Sequence, residues 1–501
     1  MRGFLDTPRS RIITLSLIVM LGFAVVVELL ALLAWFADPS AALRMHTNPT
    51  SLLFSAGQVE LAFFNAGYGL AVWLILLLMV SPVLLEGSLT WTRRRVSVTS
   101  QPAGKPIQLR AATVGIALVA VSVLAGLVAY LPYSFSDFPV GIDAHWYYER
   151  LGALGEGVSI PNLLLEEPRA AYLLLLYGIR LATQLPIRET AMVGAIIVSV
   201  LCALGSFFLV RDMGQSDLAS LLAALFASFS PQMLVGTLAS VFSNWLAMAE
   251  MLFFFAFLLR AAKTSGKSWL AATLAVSLVI MVTHPWTWPI LMLILAIYLV
   301  LSALRDRSCD SMRCSVGLRI LAGSILMGLV VLLVASGLAV SQGVVNLAYH
   351  FGLVENLRLQ RPPDLFLRDV QIALFNYSTQ GLFSNWLMIS LGVVGVFGLG
   401  RMGKETRVLL ESWILGPSLL ILFLGPEIQW RLLFLIPYHI LAVLGVTTLM
   451  GVLRRLISAP DQSRAHSIIM AAQVGFVTFL VLLFLNNALR SMVLIAVQVS
   501  I

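Results

Sequence analysis

"AATVGIALVAVSVLAGLVAYLP", residues 111–132, runs from end to end without a charged side chain. A hydrocarbon core about 30 Å thick is crossed by roughly 20 apolar residues in a helix, so this stretch reads as a membrane span. Working outward, the runs at 12–36, 61–85, 190–210, 318–341 and 466–489 pass the same test. Of the 501 residues 59% are hydrophobic and 11% charged, whereas a soluble domain carries about a quarter charged residues. The chain is therefore expected to be an all-α, polytopic membrane protein with about 13 transmembrane helices. The remaining spans are placed near 217–236, 240–260, 268–284, 286–304, 382–400, 407–425 and 430–451. The first run is far longer than the apolar part of a secretory signal and is read as a retained span.

The net charge of +8 would suit a nucleic-acid partner, but its distribution argues against one. With the N-terminus inside, about two thirds of the 32 Lys and Arg face the cytoplasm, clustered at Arg93–Arg95, Lys263 and Lys267, Arg305 and Arg307, Arg401 and Lys404, and Arg454 and Arg455. That is the positive-inside bias of membrane proteins. An integral protein, expected in the plasma membrane, follows, with membrane lipid and not nucleic acid as its partner. The three cysteines, Cys202, Cys309 and Cys314, suggest neither a zinc site nor a disulfide framework.

Three regions are expected. Residues 1–110 form an accessory pair of spans closed by the polar linker "TRRRVSVTSQPAGKPIQLR". Residues 111–341 form a transmembrane module with a first external loop at 131–189. Residues 342–501 hold a second external loop, 342–381, and the last spans. Inside the first loop, "RAAYLLLLYGIRLATQLP" is apolar for only the ten residues between Arg169 and Arg180. Were it to cross, every later loop would change sides, so it reads as an interfacial or re-entrant helix. Arg169 and Arg180, three turns apart, would share one face. "FSNWLAM" from 242 and "FSNWLMI" from 383 nearly repeat; Ser or Asn as N-cap and Trp at the membrane interface account for both.

Polar chemistry concentrates in "DFPVGIDAHWYYERL", 137–151. Asp143 suits a general base acting on a hydroxyl and equally suits an N-cap for a helix starting at Ala144. His145 and Glu149 are four apart, a metal pair with Asp143 or a surface ion pair; the ligand set is incomplete, and no metal or other cofactor is predicted. Tyr147 and Tyr148 either stack on a sugar or anchor at the headgroups, and Arg150 completes the stretch. In "THPWTWP", 283–289, His284 sits where Pro285 and Pro289 interrupt two spans, placed to meet a lipid phosphate or simply solvated. In "GPEIQWRLLFLIPYHILAVLGV", Arg431 either grips a phosphate in fork geometry or pairs with Glu427 a turn away. Glu28 and Glu250 lie within spans, where a charged carboxylate is costly, so each should be neutral, paired or facing a cavity. Glu250 is read first as a helix-packing hydrogen bond. Asn376-Tyr377-Ser378 fits a glycosylation triplet, a pattern common by chance.

Four of these stretches, in order, resemble the GT-C superfamily of integral-membrane glycosyltransferases that use polyprenyl-phosphate-linked sugars. They are "GIDAHWYYERL", "EEPRAAYLLLLYGIRLATQL" with the span ending "LVRDMG", "LASLLAALFASFSPQML" and "WRLLFLIPYHILAVLGV". The likeness covers roughly residues 111 to 455. It implies a catalytic Asp in the first external loop, mapping onto Asp143, and cations for the donor phosphate, for which Arg431 and His284 hold the positions. His145, Tyr147, Arg150 and Glu427 are further candidates for substrate contact. The chain lacks the second acidic motif and the WWDYG stretch of oligosaccharyltransferase catalytic subunits, and the Asp-Glu pair of protein O-mannosyltransferases. No subfamily is assigned on that basis. The function implied is inverting transfer of a sugar from a polyprenyl-phosphate donor to a hydroxyl of a glycan, lipid or protein acceptor on the external face. A transporter or flippase working through Glu28 or Glu250, or an inactive scaffold of the same fold, is the alternative.

Overall fold

A computed structural model describes residues 19, 21–26, 28–30, 32–33, 36–37, 75–85, 109–135, 140–141, 144–155, 169–238, 240–305, 311–341, 385–421, 424, 431–457 and 462–499. Within these, side chains are described except at 311–314, 332, 334–341, 386, 401, 452–457, 462–469 and 494–499. Asp143, Glu427, Cys309 and the whole 342–381 loop, with Asn376, fall outside the described residues.

Among the described residues fourteen α-helices order the main body. They are α1 (Ala111–Phe135), α2 (Ala144–Gly155), α3 (Ala170–Thr183), α4 (Ile187–Asp212), α5 (Asp217–Ala227), α6 (Pro231–Leu238), α7 (Phe242–Thr264), α8 (Lys267–Thr283), α9 (Thr287–Arg305), α10 (Ser311–Ser341), α11 (Trp386–Gly398), α12 (Lys404–Ile421), α13 (Tyr438–Ile457) and α14 (Gln462–Val499). Among the described residues six stretches are long and apolar enough to cross a membrane: α1, α4, α5 with α6, α7, α9 and Met470–Val493 of α14. Shorter apolar helices fall in six further expected runs, at Leu21–Leu30, Ile75–Leu85, Lys267–Thr283, Ser315–Val331, Leu387–Gly398 and Tyr438–Gly451, whereas the run expected at 407–425 has no such helix among the described residues. The chain is an all-α, polytopic integral membrane protein.

Burial separates a centre from a rim. The apolar window of α5–α6 is 89% buried and that of α7 is 78% buried, against 28% for α1 and 33% for α14. Exposed Ile116, Val119, Val123 and Leu127 on α1, and Leu326, Leu329 and Leu333 on α10, face outward as lipid-contacting side chains should. Lipid tails are as apolar as leucine, so helices associate here by close packing and polar ties. Packing is tightest between α11 and α13. A Cβ on Gly395 would collide with the Leu441 carbonyl, and one on Gly445 with that of Leu391. Gly445→Val therefore forces two backbones apart, at a cost of about 3 kcal/mol. A lower melting midpoint of the purified protein in detergent is expected; unchanged melting would show that the interface yields freely.

Two expected spans are broken, and the breaks satisfy each other. The run at 217–236 is not one helix: α5 ends at Ala227 and α6 starts at Pro231. The run at 430–451 is interrupted at Pro437, which has no N–H to continue the ladder. Carbonyls freed inside a membrane need partners. Gln232 Nε2 donates to the Phe434 carbonyl at 3.1 Å and also to that of Ile436. Trp413 Nε1 reaches the Leu435 carbonyl at 2.9 Å, and Asn385 Nδ2 the Phe229 carbonyl at 3.3 Å.

Charge is sorted between the two ends. At one, the basic end, Arg260 Nε bonds both carboxylate oxygens of Asp212, and Arg305 pairs with Glu411 at 2.6 Å. Glu28 pairs with Arg490 of α14 at 2.6 Å and accepts from Asn487 at 3.0 Å, the paired state expected of an intramembrane carboxylate. This tie, with Ala24, Ile75 and Leu78 in the common core, docks the described parts of residues 1–110 onto the main body. At the opposite, loop end lie α2, α3, the α6–α7 turn, the α8–α9 turn and Arg431.

Candidate functional site

The loop end is built around the first turn of α7, Phe242-Ser243-Asn244-Trp245. Val241 occupies the N-cap and makes no side-chain cap bond, so Ser243 and Asn244 are released for other partners. Ser243 meets Tyr147 of α2, its hydroxyl and its amide each 3.3 Å from the phenol oxygen. Asn244 Oδ1 accepts from the Thr287 hydroxyl at 3.0 Å, and Thr287 Oγ1 lies 2.8 Å from His284 Nδ1. Helix α7 thus ties the first loop to the α8–α9 turn. The near-repeat at 383 does something different: there Asn385 is a true N-cap, accepting from Met388 N at 3.0 Å. The shared N-cap reading holds for Asn385 and fails for Ser243 and Asn244. The interface reading fails for Trp245, which is fully buried.

Gly141 anchors the other side. Its φ is +102°, a region that favours glycine, and a Cβ there would strike Ser240 Oγ. Ser240 Oγ donates to the Val140 carbonyl at 2.9 Å, and Ala144 N to the Gly141 carbonyl at 3.3 Å. The residues flanking Asp143 are therefore clamped onto the α6–α7 turn.

Helix α2 follows with Ala144, Tyr147, Leu151 and Leu154 buried and His145, Glu149 and Arg150 exposed. Tyr147 does not sit at the headgroup level: fully buried, it packs edge-on against Tyr172 of α3, ring centroids 5.2 Å apart. It is not open to stack on a sugar. Arg150 and Arg169 approach the Trp146 ring at 6.0 and 4.9 Å, cation–π distances. Arg180 donates to the Leu151 carbonyl at 3.0 Å. Arg169 and Arg180 thus both face α2, the shared face expected of them. At 14 residues, α3 is about 21 Å long, short of a hydrocarbon core. Tyr148 turns toward Arg188 and Glu189, and burial pushes its phenol up to about 12 against the opposing Arg188 charge.

His284 and Arg431, distant in sequence, line one cavity of about 170 Å³. Asn244, Thr287 and Trp286 complete its polar part, while Ile290, Leu293, Leu420, Leu424 and Leu435 form apolar walls between α9 and the segment following α12. Asn244 Nδ2 is buried with no hydrogen-bond partner. Pro289 sits within the first turn of α9, where a missing N–H costs nothing. Burial, reinforced by the positive charges of Arg431 and Arg169, holds the His284 pKa well below its usual value, so the ring is neutral at pH 7. It is neither solvated nor a ready cation. Thr287 spends its one hydroxyl proton on Asn244, so it accepts from His284 Nδ1–H. The remaining ring nitrogen, Nε2, is then an acceptor.

Glu250 lies close below this site. Thr283, next to His284, donates to its carboxylate at 2.9 Å, the expected packing bond. Glu28 is thus fully paired, while Glu250 keeps its second carboxylate oxygen buried without a hydrogen-bond partner. Among the described residues no three His, Cys, Asp or Glu side chains converge as a metal site. Asn244 and Thr287 were missed by sequence reasoning, because nothing local distinguishes them from cap residues.

No curated protein matches the sequence. Among solved structures, ArnT from Cupriavidus metallidurans bound to undecaprenyl phosphate is similar, with 12% identity, 78% of each chain covered and a TM-score of 0.46. The family model for the N-terminal part of oligosaccharyl transferase STT3 matches residues 165–498, two thirds of the chain. The subfamily that the missing acidic motifs left open is thereby given, and the chain belongs to the oligosaccharyl transferase STT3 family and, with it, to the GT-C superfamily of membrane glycosyltransferases that draw on lipid-linked sugars.

Proposed function

We propose that the cavity at the α8–α9 turn takes the phosphate and first isoprene units of a polyprenyl-phosphate-linked sugar. One observation carries this reading: polar Arg431, Asn244 and His284 cap an apolar groove beside α9, whose apolar window is only 39% buried and so borders the lipid. Arg431 provides a fixed positive charge where the phosphate gains charge as the sugar departs. Asp143, whose flanking residues are clamped beside Ser243 and Asn244, is the base that removes the proton of an acceptor hydroxyl. The hydroxyl oxygen attacks the anomeric carbon opposite the phosphate; the C–O bond to phosphate breaks with inversion, and polyprenyl phosphate leaves with the bonding pair. His145 and Arg150, exposed on α2, are placed to contact the acceptor, and Glu427 is the remaining candidate near Arg431. The basic end faces the cytoplasm and the loop end faces outside, as the charge distribution favours.

The test is transfer by the purified protein in liposomes, from a panel of labelled polyprenyl-phosphate sugars to glycan, lipid and peptide acceptors. Turnover with at least one donor, and an inverted anomeric centre in the product, is expected. No turnover with any donor, with or without added divalent cation, would sink the reading.

A further inference from the structure

The hydrogen-bond chain behind the cavity sets a condition on what can bind there. Thr287 donates to Asn244 Oδ1 and accepts from His284 Nδ1, which leaves a lone pair on Nε2 at a cavity-lining residue. A phosphodiester oxygen approaching that lone pair meets acceptor against acceptor. Two rearrangements could remove the clash without a new proton, and each has a cost. Shifting the His284 proton from Nδ1 to Nε2 leaves Nδ1 needing a donor, which Thr287 can supply only by breaking from Asn244. Turning the Asn244 amide to compensate replaces the unpartnered donor Nδ2 of this cavity-lining residue with the acceptor Oδ1. Protonation of Nε2 alone keeps every existing bond and adds a donor.

Resting on the proposed donor site, we infer that binding of a phosphodiester in this cavity is coupled to uptake of one proton from solvent onto His284 Nε2. Burial and the two guanidinium charges hold the ring neutral until an anion supplies the charge that makes the imidazolium favourable. The charged groups facing His284 are Arg431 from the segment after α12 and Arg169 from the start of α3, both opposing protonation. Glu250 of α7 faces it through Thr283. Helix α8 carries only Lys267, at its opposite end, and the first turn of α9 and residues 324–341 of α10 contribute no titratable side chain. The imidazolium so formed then stands beside the phosphate as the sugar leaves.

Proton uptake is read directly by calorimetric titration of the full-length protein in detergent with farnesyl methyl phosphate, in buffers of low and high ionisation enthalpy. This diester has no group titrating near neutral pH, so any uptake belongs to the protein. At pH 6 the wild type should take up about half a proton or more per ligand, and its affinity should fall with rising pH by at most about tenfold per unit. His284→Gln should bind without uptake. Thr287→Val frees the ring to carry its proton on Nε2, so uptake should drop while binding persists; Thr287→Ser should restore it. Binding without uptake in the wild type, or uptake unchanged in His284→Gln or Thr287→Val, would overturn the coupling and leave the donor site standing. Absence of diester binding to the wild type would overturn both.

Discussion

Asp143→Asn is expected to lower the turnover number by about 10²–10⁴, the usual range for loss of a general base, with donor affinity unchanged. Asn preserves the size of the side chain and can still cap a helix starting at Ala144, so folding should be spared. What it cannot do is accept a proton from an acceptor hydroxyl. Its neighbours make the test clean. Gly141 and Ser240 hold the preceding backbone, and Tyr147 and Ser243 hold the following helix, none of them through the Asp143 side chain. Single-turnover transfer and diester titration should be measured on the same preparation. A fall in rate with equal affinity supports the base. Equal rates would remove Asp143 and direct attention to Glu149 or Glu427.

Arg431→Gln should weaken phosphodiester binding by roughly 10- to 100-fold, since a charge-assisted hydrogen bond contributes about 1.5–3 kcal/mol. The surrounding Leu424, Leu435 and Leu420 strengthen the case, because apolar walls deny the phosphate compensating water. Arg431→Lys keeps the charge but not the planar fork, so an intermediate loss is expected. Removing Arg431 has a second consequence. That guanidinium is one of the charges holding His284 neutral, so in Arg431→Gln the ring should protonate at higher pH in the empty site. The pH dependence of binding should accordingly shift upward. Diester affinity measured from pH 5 to 8 reads both effects. Wild-type affinity in Arg431→Gln would place the phosphate elsewhere.

Much of the frame was legible from local sequence. Helix α3 was recognisable because Arg169 and Arg180 bracket too few apolar residues to cross, and both turn out to face α2. The first loop's helix was legible from its aromatic and polar crowding, although which tyrosine packs inward was not. The breaks at Ser228–Ser230 and Pro437 lay inside runs that are apolar overall, although Ser228, Ser230, Pro231 and Gln232 interrupt the first and Pro437-Tyr438-His439 the second. Hydropathy reports solvent preference and not backbone continuity, so two bent segments read as straight spans.

The site divides along the same line. His284 and Arg431 were singled out by position in their own motifs, yet their shared cavity depends on α9 packing against α12. Asn244 shows the limit most plainly. Phe-Ser-Asn-Trp occurs twice, and in one copy Asn385 caps its own helix while in the other Asn244 bonds Thr287, 43 residues away. By itself the sequence determined the membrane class and the helical content, because preference for lipid over water acts residue by residue. Only the tertiary structure decided which polar side chains meet, because a hydrogen bond needs two partners within about 3 Å, and no local pattern records what lies opposite.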